Sequence, residues 1–355
     1  MTERKMNIKL VTLKNSNKKF NDSINVLSLF DGISCGRIAL DRAGIAVDSY
    51  FACEIDKNVI AISRKNYPNI IQLGDITNWH DWIDTLPKID LILAGSPCQG
   101  FSRSGKGLNF YDPRSRLFFC FVDILDYIKR KNNEDVIFLL ENVVMKKEWE
   151  LIISNHVGVN PILINSSLLS AQNRPRLYWT NIKNIQQPPD QNIFLTDIIQ
   201  KDFSPVYTLY NGILFSENIS DDEKSLVSRA NNHSVKVRQA TRKGYLYAHN
   251  GDGINLSFPN GKTRRGRVQY GKSSTLDCSC NTCVMYDDTI RHFSQLELER
   301  LQTLPDFYTY GFSYNVACKA IGNAWTVDVI AYILSYVSMN GGYINDKATR
   351  YNHTN

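Results

Sequence analysis

A cysteine on a short predicted loop is the first residue in this sequence whose side chain could act in catalysis. Residues 94–102 read AGSPCQGFS, so Cys98 follows a proline among small residues, and the apolar run IDLILAG leads into the loop. A cysteine in apolar surroundings is often only a small hydrophobic side chain. Loops at strand ends, however, commonly carry catalytic groups, and a thiolate is a strong nucleophile. Cys98 is therefore a candidate nucleophile, and its neighbours must decide between these two interpretations.

The segments around this loop alternate between strand and helix patterns. Strand-like runs occur at INVLSLF, VDSYFACEID, NIIQLGDI, IDLILAG and VIFLLENV, with helix-like runs between them. The helix predicted over 115–130 has apolar residues on one side, namely Leu117, Phe118, Phe121, Ile124, Leu125 and Ile128. This alternation predicts a mostly parallel sheet with helices on both faces. Ligands of such sheets bind beyond the carboxyl ends of the strands.

The first strand end has the spacing of a nucleoside site. Gly32 lies in the turn FDGISCG, and Glu54 follows 22 residues later. At that distance an acidic residue reaches the ribose hydroxyls in nucleotide-binding βαβ units. The turn is not a GxGxxG loop, because Ser34 stands where another glycine is usual, and no Gly-Lys-Ser/Thr follows it. The pattern disfavours a dinucleotide or ATP and favours an adenosine-like ligand.

The pattern of predicted strands and helices changes after about residue 183. Pro188 and Pro189 interrupt the pattern, and short strand-like segments such as GYLYAHNGDG follow. A helix pattern returns at SQLELERLQTL, and the apolar run GNAWTVDVIAYILSYV comes near the end. We predict a basic N-terminal arm over 1–23, an α/β domain over 24–183 and a smaller β-rich domain over 184–288. A hinge and a C-terminal helix that returns to the α/β domain are predicted over 289–355.

Composition limits the class of protein. The chain has 355 residues, 43% of them apolar, which suits a folded protein with a large core. No apolar run reaches the roughly 18 residues of a membrane-spanning helix, and the N-terminus lacks the apolar block of a signal peptide. The cluster CSCNTC contains Cys278, Cys280 and Cys283, but its spacing is not that of a zinc finger. We predict a cytoplasmic protein with neither a membrane segment nor a metal site.

The charge of the chain permits a polyanionic partner without requiring one. The formal net charge is +6, and two basic clusters, KVRQATRKG and NGKTRRGRV, lie within residues 236–267. Such clusters are typical either of solvated hairpin tips or of nucleic-acid contact. Charge alone does not distinguish the two.

Five blocks occur together and in one order, namely FDGISCG, SPCQGFS, ENV, QNRPR and GNAWTV. Together they resemble the DNA cytosine-5 methyltransferase family of bacterial or phage type, with features of the branch that contains the animal de novo DNA methyltransferases. The likeness extends over nearly the whole chain, except the N-terminal arm and much of the β-rich domain. Asp31 and Ser34 depart from the Phe-Ala-Gly-x-Gly that is usual in the first block.

The resemblance implies a Rossmann-like, S-adenosylmethionine-dependent methyltransferase fold. The α/β domain would then bind the cofactor and catalyse, and the β-rich domain would recognise the target. The cofactor residues that it implies are Phe30, Asp31, Gly32, Ile33, Glu54, Ile55, Asp75, Ile76, Pro97, Leu117, Asn323 and Val327. It also implies a loop from Pro97 to about residue 116 that closes over DNA, with Ser102 and Ser104 near the DNA backbone.

The chemistry of this family requires a thiolate, because carbon 5 of cytosine is a poor nucleophile until a thiolate adds to carbon 6. Cys98 takes that role. Glu141, at the end of an apolar strand, is expected to be kept protonated by desolvation and to donate to N3. Arg174 is expected to hold the O2 side of the base, and Arg176 to orient neighbouring loops. The target base must first leave the stacked duplex.

The β-rich domain is expected to recognise the DNA sequence. Arginine commonly binds guanine in the major groove, so its arginines are the candidate base readers. The arginines expected to include base readers are Arg238, Arg242, Arg264, Arg265 and Arg267. Lys243 and Lys262 are expected to contact phosphates. The expected partners are duplex DNA and a cognate restriction endonuclease, and the expected state is a monomer.

Two other functions remain open on the same scaffold. One is an RNA cytosine-5 methyltransferase that acts on transfer RNA, and the other is a non-catalytic DNA-binding regulator. The β-rich domain with its two basic clusters favours DNA. The presence of Cys98, Glu141 and Arg174 favours an enzyme.

Overall fold

A seven-stranded sheet forms the centre of the α/β part of the molecule, in a computed structural model that describes residues 23–96, 116–279 and 281–337. The strands follow the spatial order β3-β2-β1-β4-β5-β7-β6. Their bounds are β1 Ile24–Leu29, β2 Val47–Cys53, β3 Ile71–Gln72, β4 Leu91–Gly95, β5 Ile137–Val143, β6 Ile162–Asn165 and β7 Pro175–Thr180. Strands β1 to β5 pair in parallel, whereas β7 is antiparallel to both β5 and β6.

Helices cover both faces of this sheet, because the apolar side chains of each strand alternate between two cores. Val26 and Leu93 belong to one hydrophobic cluster, whereas Leu27 and Ile92 belong to the other. The first cluster includes side chains of α1 (Cys35–Ala43), α2 (Lys57–Asn66), α8 (Tyr314–Asn323) and α9 (Val327–Leu334). The second includes α3 (Arg116–Lys131) and α4 (Lys147–Val157). The predicted α/β fold with a mostly parallel sheet is confirmed.

Local sequence explains where two of these helices begin and end. Asp56 caps α2, since its Oδ1 accepts from the backbone N–H of Asn58 at 3.0 Å. Gly44 ends α1 with a φ of 70°, in the left-handed region that glycine adopts at little cost. The predicted apolar side of α3 is buried except for Leu117, which is half-buried. These signals lie within a few residues of the element that they shape, so the sequence shows them directly.

Short strands form two further sheets in the β-rich part. The strands are β8 Tyr207–Tyr210, β9 Ile213–Ser216, β10 Val227–Asn231, β11 Ser234–Arg238, β12 Tyr245–His249, β13 Gly253–Asn255, β14 Val268–Gln269, β15 Thr282–Tyr286 and β16 Thr289–His292. One sheet has the order β10-β11-β12, and the other β14-β13-β15-β16-β9-β8. A shared cluster of buried side chains that includes Phe215, Val237 and Met285 joins them. Short helices precede, interrupt and follow these strands, namely α5 Leu195–Ile198, α6 Asp221–Lys224 and α7 Gln295–Leu301.

One stretch, Tyr314–Leu334, is long and apolar enough by composition to span a membrane. It contains α8 and α9, and 61% of its most apolar window is buried inside the protein. Ile330 and Ile333 of α9 are fully buried, and Asp328 accepts from Arg42 of α1 at 2.6 Å. This composition is that of helices which pack in a protein core.

Candidate active site

The carboxyl ends of β4 and β5 lie side by side. Gly95, the last residue of β4, pairs in register with Glu141 on β5. The chain leaves β4 at this point toward the segment 97–115. Pro97, Cys98, Ser102 and Ser104 belong to that segment and lie outside the described residues. Glu141 is therefore placed at the sheet edge from which the chain leads to the predicted nucleophile.

Both carboxylate oxygens of Glu141 have a partner. Arg176 on β7 approaches Oε1 with its Nε at 2.9 Å. Trp325 donates from its indole Nε1 to Oε2 at 3.1 Å. The side chains of Glu141 and Arg176 are each 12% exposed. The carboxyl group thus lies in a charged and hydrogen-bonded setting, which differs from the apolar enclosure expected from the sequence.

The two arginines of QNRPR have different surroundings. Arg174, only 4% exposed, donates from its guanidinium to the carbonyl oxygens of Leu276, Gly322 and Ala324, at 2.9 to 3.1 Å. Its guanidinium therefore joins two distant backbone segments, which differs from the base contact predicted for it. Arg176, expected only to orient loops, is the arginine beside Glu141.

Trp325 is a site residue that the sequence reasoning missed. Its indole lies against Gly95, where an added Cβ would come within 2.8 Å of Nε1. Glycine at this strand end therefore makes room for the ring, and the ring reaches across to Glu141. The signal in the sequence was the bulky aromatic side chain within GNAWTV, next to residues that the resemblance assigned to the cofactor.

The turn after β1 is shaped for close approach of a ligand. Phe30 and Gly32 both have a left-handed backbone, with φ of 58° and 59°. The Gly32 N–H donates to Glu54 Oε2 at 3.0 Å, and Oε1 accepts from the N–H groups of Ile55 and Asp56. The ends of β1 and β2 are therefore tied together by one carboxylate. The Ile55 side chain beside it is 70% exposed, which leaves an apolar surface uncovered.

Asp31 is buried next to this turn, and the described partners of its carboxylate are hydroxyl groups. Its two oxygens accept from Tyr50 at 2.7 Å and from Ser34 at 2.6 Å. Ser34 also shares a hydrogen bond with Ser63. Burial raises the pKa of Asp31 to about 6, against the opposing effect of these hydrogen bonds. Asp31, which departs from the family pattern, is thus a buried carboxyl group with a pKa of about 6.

The other predicted cofactor residues divide into buried positions and exposed or half-buried ones. Asp75 accepts from the Thr77 N–H at 2.8 Å and begins a short 3₁₀ helix, while Ile76 is buried beneath it. Ile33 and Val327 are buried in the core, and Leu117 is half-buried against it. Asn323 is exposed at the end of α8, where its Oδ1 accepts from the Cys278 thiol at 3.0 Å.

The arginines predicted to read DNA are not equivalent. Arg238, Arg242 and Arg265 are exposed, and Arg264 is half-buried. Arg267 is 1% exposed and donates to the carbonyl oxygens of residues 255, 257 and 258. Burial, with the nearby charges of Arg264 and Arg238, lowers the pKa of Arg267 to about 10. The guanidinium of Arg267 is therefore engaged inside the protein, which differs from the exposed position that reading a base would require.

The cysteine cluster is split between surface and core. Cys278 is exposed, Cys283 is buried in β15, and Cys280 lies outside the described residues. Across 23–96, 116–279 and 281–337, no three His, Cys, Asp or Glu side chains are grouped so as to hold a metal ion.

Comparison with curated proteins finds type II methyltransferases of bacteria. Type II methyltransferase M.HhaI of Haemophilus parahaemolyticus is 27% identical over 342 residues, which is 87% of this chain and 93% of that protein. M.Sau96I of Staphylococcus aureus is 26% identical over 347 residues, 90% of this chain and 76% of that protein. M.NgoBV of Neisseria gonorrhoeae reaches 38% identity, but over 126 residues that cover 34% of this chain and 28% of the relative.

Solved structures share the fold. The methyltransferase EhMeth of Entamoeba histolytica matches with a TM-score of 0.56 at 15% identity, over 88% of this chain and 98% of that one. A DNMT2 mutant of Spodoptera frugiperda matches with a TM-score of 0.52 at 19% identity over the same shares. The model of the C-5 cytosine-specific DNA methylase family matches residues 24–338. The resemblance carried by the five sequence blocks is confirmed, and the chain belongs to the C-5 cytosine-specific DNA methylase family.

Proposed function

We propose that the protein transfers the methyl group of S-adenosylmethionine to carbon 5 of a cytosine flipped out of duplex DNA, through a covalent adduct of Cys98 at carbon 6. The observation that carries the proposal is the pairing of Glu141 with Gly95, three residues before Cys98. A thiol and a carboxyl group at neighbouring strand ends suit addition to one edge of a pyrimidine ring and stabilisation of its other edge.

Cys98 and Glu141 divide the chemistry of the ring between them. The Cys98 thiolate forms a bond to carbon 6, and negative charge develops toward N3 and O2. Glu141 takes up a proton as the base enters and donates it to N3, and the Arg176 guanidinium beside it supplies donors for O2. Carbon 5 thereby gains the electron density to form a bond to the methyl carbon, whose bond to the sulfonium sulfur breaks and leaves a neutral thioether. Loss of the carbon 5 proton then restores the ring and releases the thiolate.

Trp325 and Arg176 act on Glu141 together. Arg176 forms an ion pair with one oxygen of the carboxylate, and Trp325 donates to the other. Contacts at both oxygens hold the carboxyl group in place, so little motion is needed when the base enters. In this proposal Trp325 is a positioning residue, because it acts through Glu141.

The residues at the ends of β1 to β3 fit S-adenosylmethionine. The exposed apolar surface of Ile55 suits an adenine ring, and Glu54 next to it suits the ribose hydroxyls. Three backbone N–H groups use part of the capacity of Glu54, since a carboxylate offers about four acceptor sites. When bound, S-adenosylmethionine supplies the methyl group as an electrophile. Asp75 is half-buried just after β3, and Asn323 is exposed at the end of α8.

The DNA partner follows from this activity, and with it a biological setting. A methylated recognition sequence protects DNA from an endonuclease that cuts the same sequence. We therefore include a cognate restriction endonuclease as a partner in the proposal. The enzyme itself is proposed to be monomeric and cytoplasmic.

The test is expression in a host that lacks cytosine-5 methylation, followed by bisulfite sequencing of the host DNA. We expect protected cytosines within one short motif for the natural sequence and none for Cys98→Ser or Glu141→Gln. Cys120→Ala is the matched control, because burial raises the pKa of the Cys120 thiol and keeps it unreactive. Protection that survives Cys98→Ser would contradict the covalent mechanism.

A second arm of the test compares substrates. Purified protein is incubated with duplex DNA or with transfer RNA, and methyl transfer is measured. Duplex DNA that carries fluorine at carbon 5 should trap the Cys98 adduct, because fluorine does not leave as the proton does. Methyl transfer to transfer RNA but not to duplex DNA would contradict DNA as the substrate.

A further inference from the structure

A cavity of about 570 Å³ lies in the β-rich part, between the turn after β11 and the loop before β14. The polar side chains that line it include Arg238, Gln239, Thr241, Lys262 and Arg267. The two segments are joined to each other. Ala240 donates from its N–H to Arg264 O at 2.8 Å, and Arg265 donates from Nε to Ala240 O at 2.8 Å. The cavity is therefore braced on both sides.

The walls of this cavity carry positive charge without a matching negative charge. No carboxylate is among the lining residues. The neighbouring charges of Arg238 and Arg264 contribute to the lowered pKa of Arg267, after burial. In the described parts of the chain, none of these three arginines forms an ion pair. Like charges held together in this way favour an acceptor group that enters from outside the protein.

One buried donor in the lining lacks a partner. Gln239 is 5% exposed, and its Oε1 accepts from the Arg267 backbone N–H at 3.0 Å. Because a backbone N–H only donates, that contact fixes which amide atom is the oxygen. The other amide atom, Nε2, is buried and has no hydrogen-bond partner within the described residues, and the same holds for Thr241 Oγ1. Leaving such a donor unpaired is costly, so the cavity is built for a group that accepts.

We propose that this cavity receives the major-groove edge of a guanine in the recognition sequence, with Arg238 and Gln239 as the selecting donors. The inference rests on the proposed function, since it takes duplex DNA as the partner. Guanine presents two acceptors in the major groove, O6 and N7. Adenine and cytosine present amino groups there, which would meet donors. Glutamine binds adenine with both amide atoms, and here the oxygen is already engaged by Arg267.

A phosphate oxygen offers the same acceptor chemistry as guanine, and the two sources differ in one measurable way. Phosphate contacts position the protein without carrying sequence information, whereas a base contact selects one base at one position. The sequence preference of binding therefore separates them.

The experiment is a selection of duplexes from a random-sequence pool, carried out without cofactor so that methyl transfer plays no part. The natural sequence is compared with Arg238→Ala and Gln239→Glu. The glutamate keeps the oxygen that accepts from Arg267 and replaces the unpaired donor by an acceptor. Arg229→Ala is the matched control, since Arg229 is an exposed arginine on β10 that does not line the cavity. Melting temperatures of all variants establish that each is folded.

We expect the natural sequence to enrich a motif that contains guanine. At one guanine position, both cavity variants should lose preference by about tenfold or more, while the other positions and the Arg229→Ala motif persist. Replacing that guanine by 7-deazaguanine, which lacks the N7 acceptor, should weaken the natural protein and leave Arg238→Ala unaffected. An unchanged motif, the absence of any motif, or an equal loss on every duplex would overturn the guanine assignment.

Failure of this inference is separate from failure of the proposed function. A protein that enriches the motif but methylates no DNA would contradict the methyl transfer and support the base reading. Methylation at a motif whose guanine preference survives both variants would contradict the base reading alone.

Discussion

At the scale of single residues, Arg174 and Arg176 predict different effects of one conservative change. Arg174→Lys replaces the two guanidinium nitrogens that reach separate backbone segments by a single nitrogen, so the free energy of unfolding should fall by about 3 kcal/mol, with kcat kept at a temperature where the variant is folded. Arg176→Lys keeps the charge but loses the planar donors beside Glu141, so kcat should fall about 10- to 100-fold with little change in melting temperature. Thermal melts and initial rates of both variants check this division. A large loss of stability in Arg176→Lys would contradict it.

Asp31 makes the stability of the protein depend on pH. Its pKa is about 6 in the folded protein against an ordinary value of 3.8, so the folded state binds the proton more tightly than the unfolded chain does. Stability is therefore lost as the pH rises from about 4 to about 6, by about 3 kcal/mol in total. Asp31→Asn should be more stable than the natural sequence at pH 7, and the advantage should vanish toward pH 4. Thermal melts across this range measure it, and a constant difference would contradict the prediction.

At the scale of elements, the link between α8 and α9 connects the end of the chain to the catalytic strands. Trp325→Phe keeps an aromatic ring but removes the N–H that donates to Glu141 Oε2. Because a hydrogen bond to a charged group is lost, kcat should fall about 10- to 100-fold, with DNA affinity nearly unchanged. Rates and DNA affinities are measured in parallel.

Trp82→Phe is the matched control for that change. The Trp82 indole N–H is also buried, but it has no hydrogen-bond partner among the residues described. The same substitution there should leave kcat unchanged. A similar loss of kcat in both variants would mean that ring volume, and not the hydrogen bond, is what matters.

The elements differ in how far the sequence predicts them. The strands and helices of the α/β part follow from apolar periodicity, because burial of a strand or a helix face leaves a local pattern. The third strand is shorter than predicted, with two residues at Ile71–Gln72, since it lies at the sheet edge and pairs on one side only. The antiparallel placement of β7 between β5 and β6 leaves no local mark, because it depends on which strands pair.

At the scale of the whole molecule, DNA affinity should depend on salt through exposed lysines of the β-rich part. Lys243 is exposed and lies over the rings of Tyr245 and Tyr247, with its ammonium 5.1 and 5.0 Å from the ring centroids. Lys243→Ala should weaken binding to all sequences alike and reduce the salt slope of the affinity by about 0.9, the value for one phosphate contact. Binding measured at several salt concentrations on two unrelated duplexes checks this, and a change on one duplex only would contradict it.

The sequence by itself determined the family, the alternating α/β architecture and the identity of the candidate nucleophile. These features depend on local residue patterns or on the order of motifs along the chain, and both can be read from the amino-acid sequence. Only the tertiary structure decided which arginine meets Glu141, since Arg174 precedes β7 and is turned toward the backbone near α8. It also brought Trp325 to a carboxylate 184 residues away and buried Arg267. Charge and residue type are written in the sequence, but burial and distant contacts arise only when the elements pack.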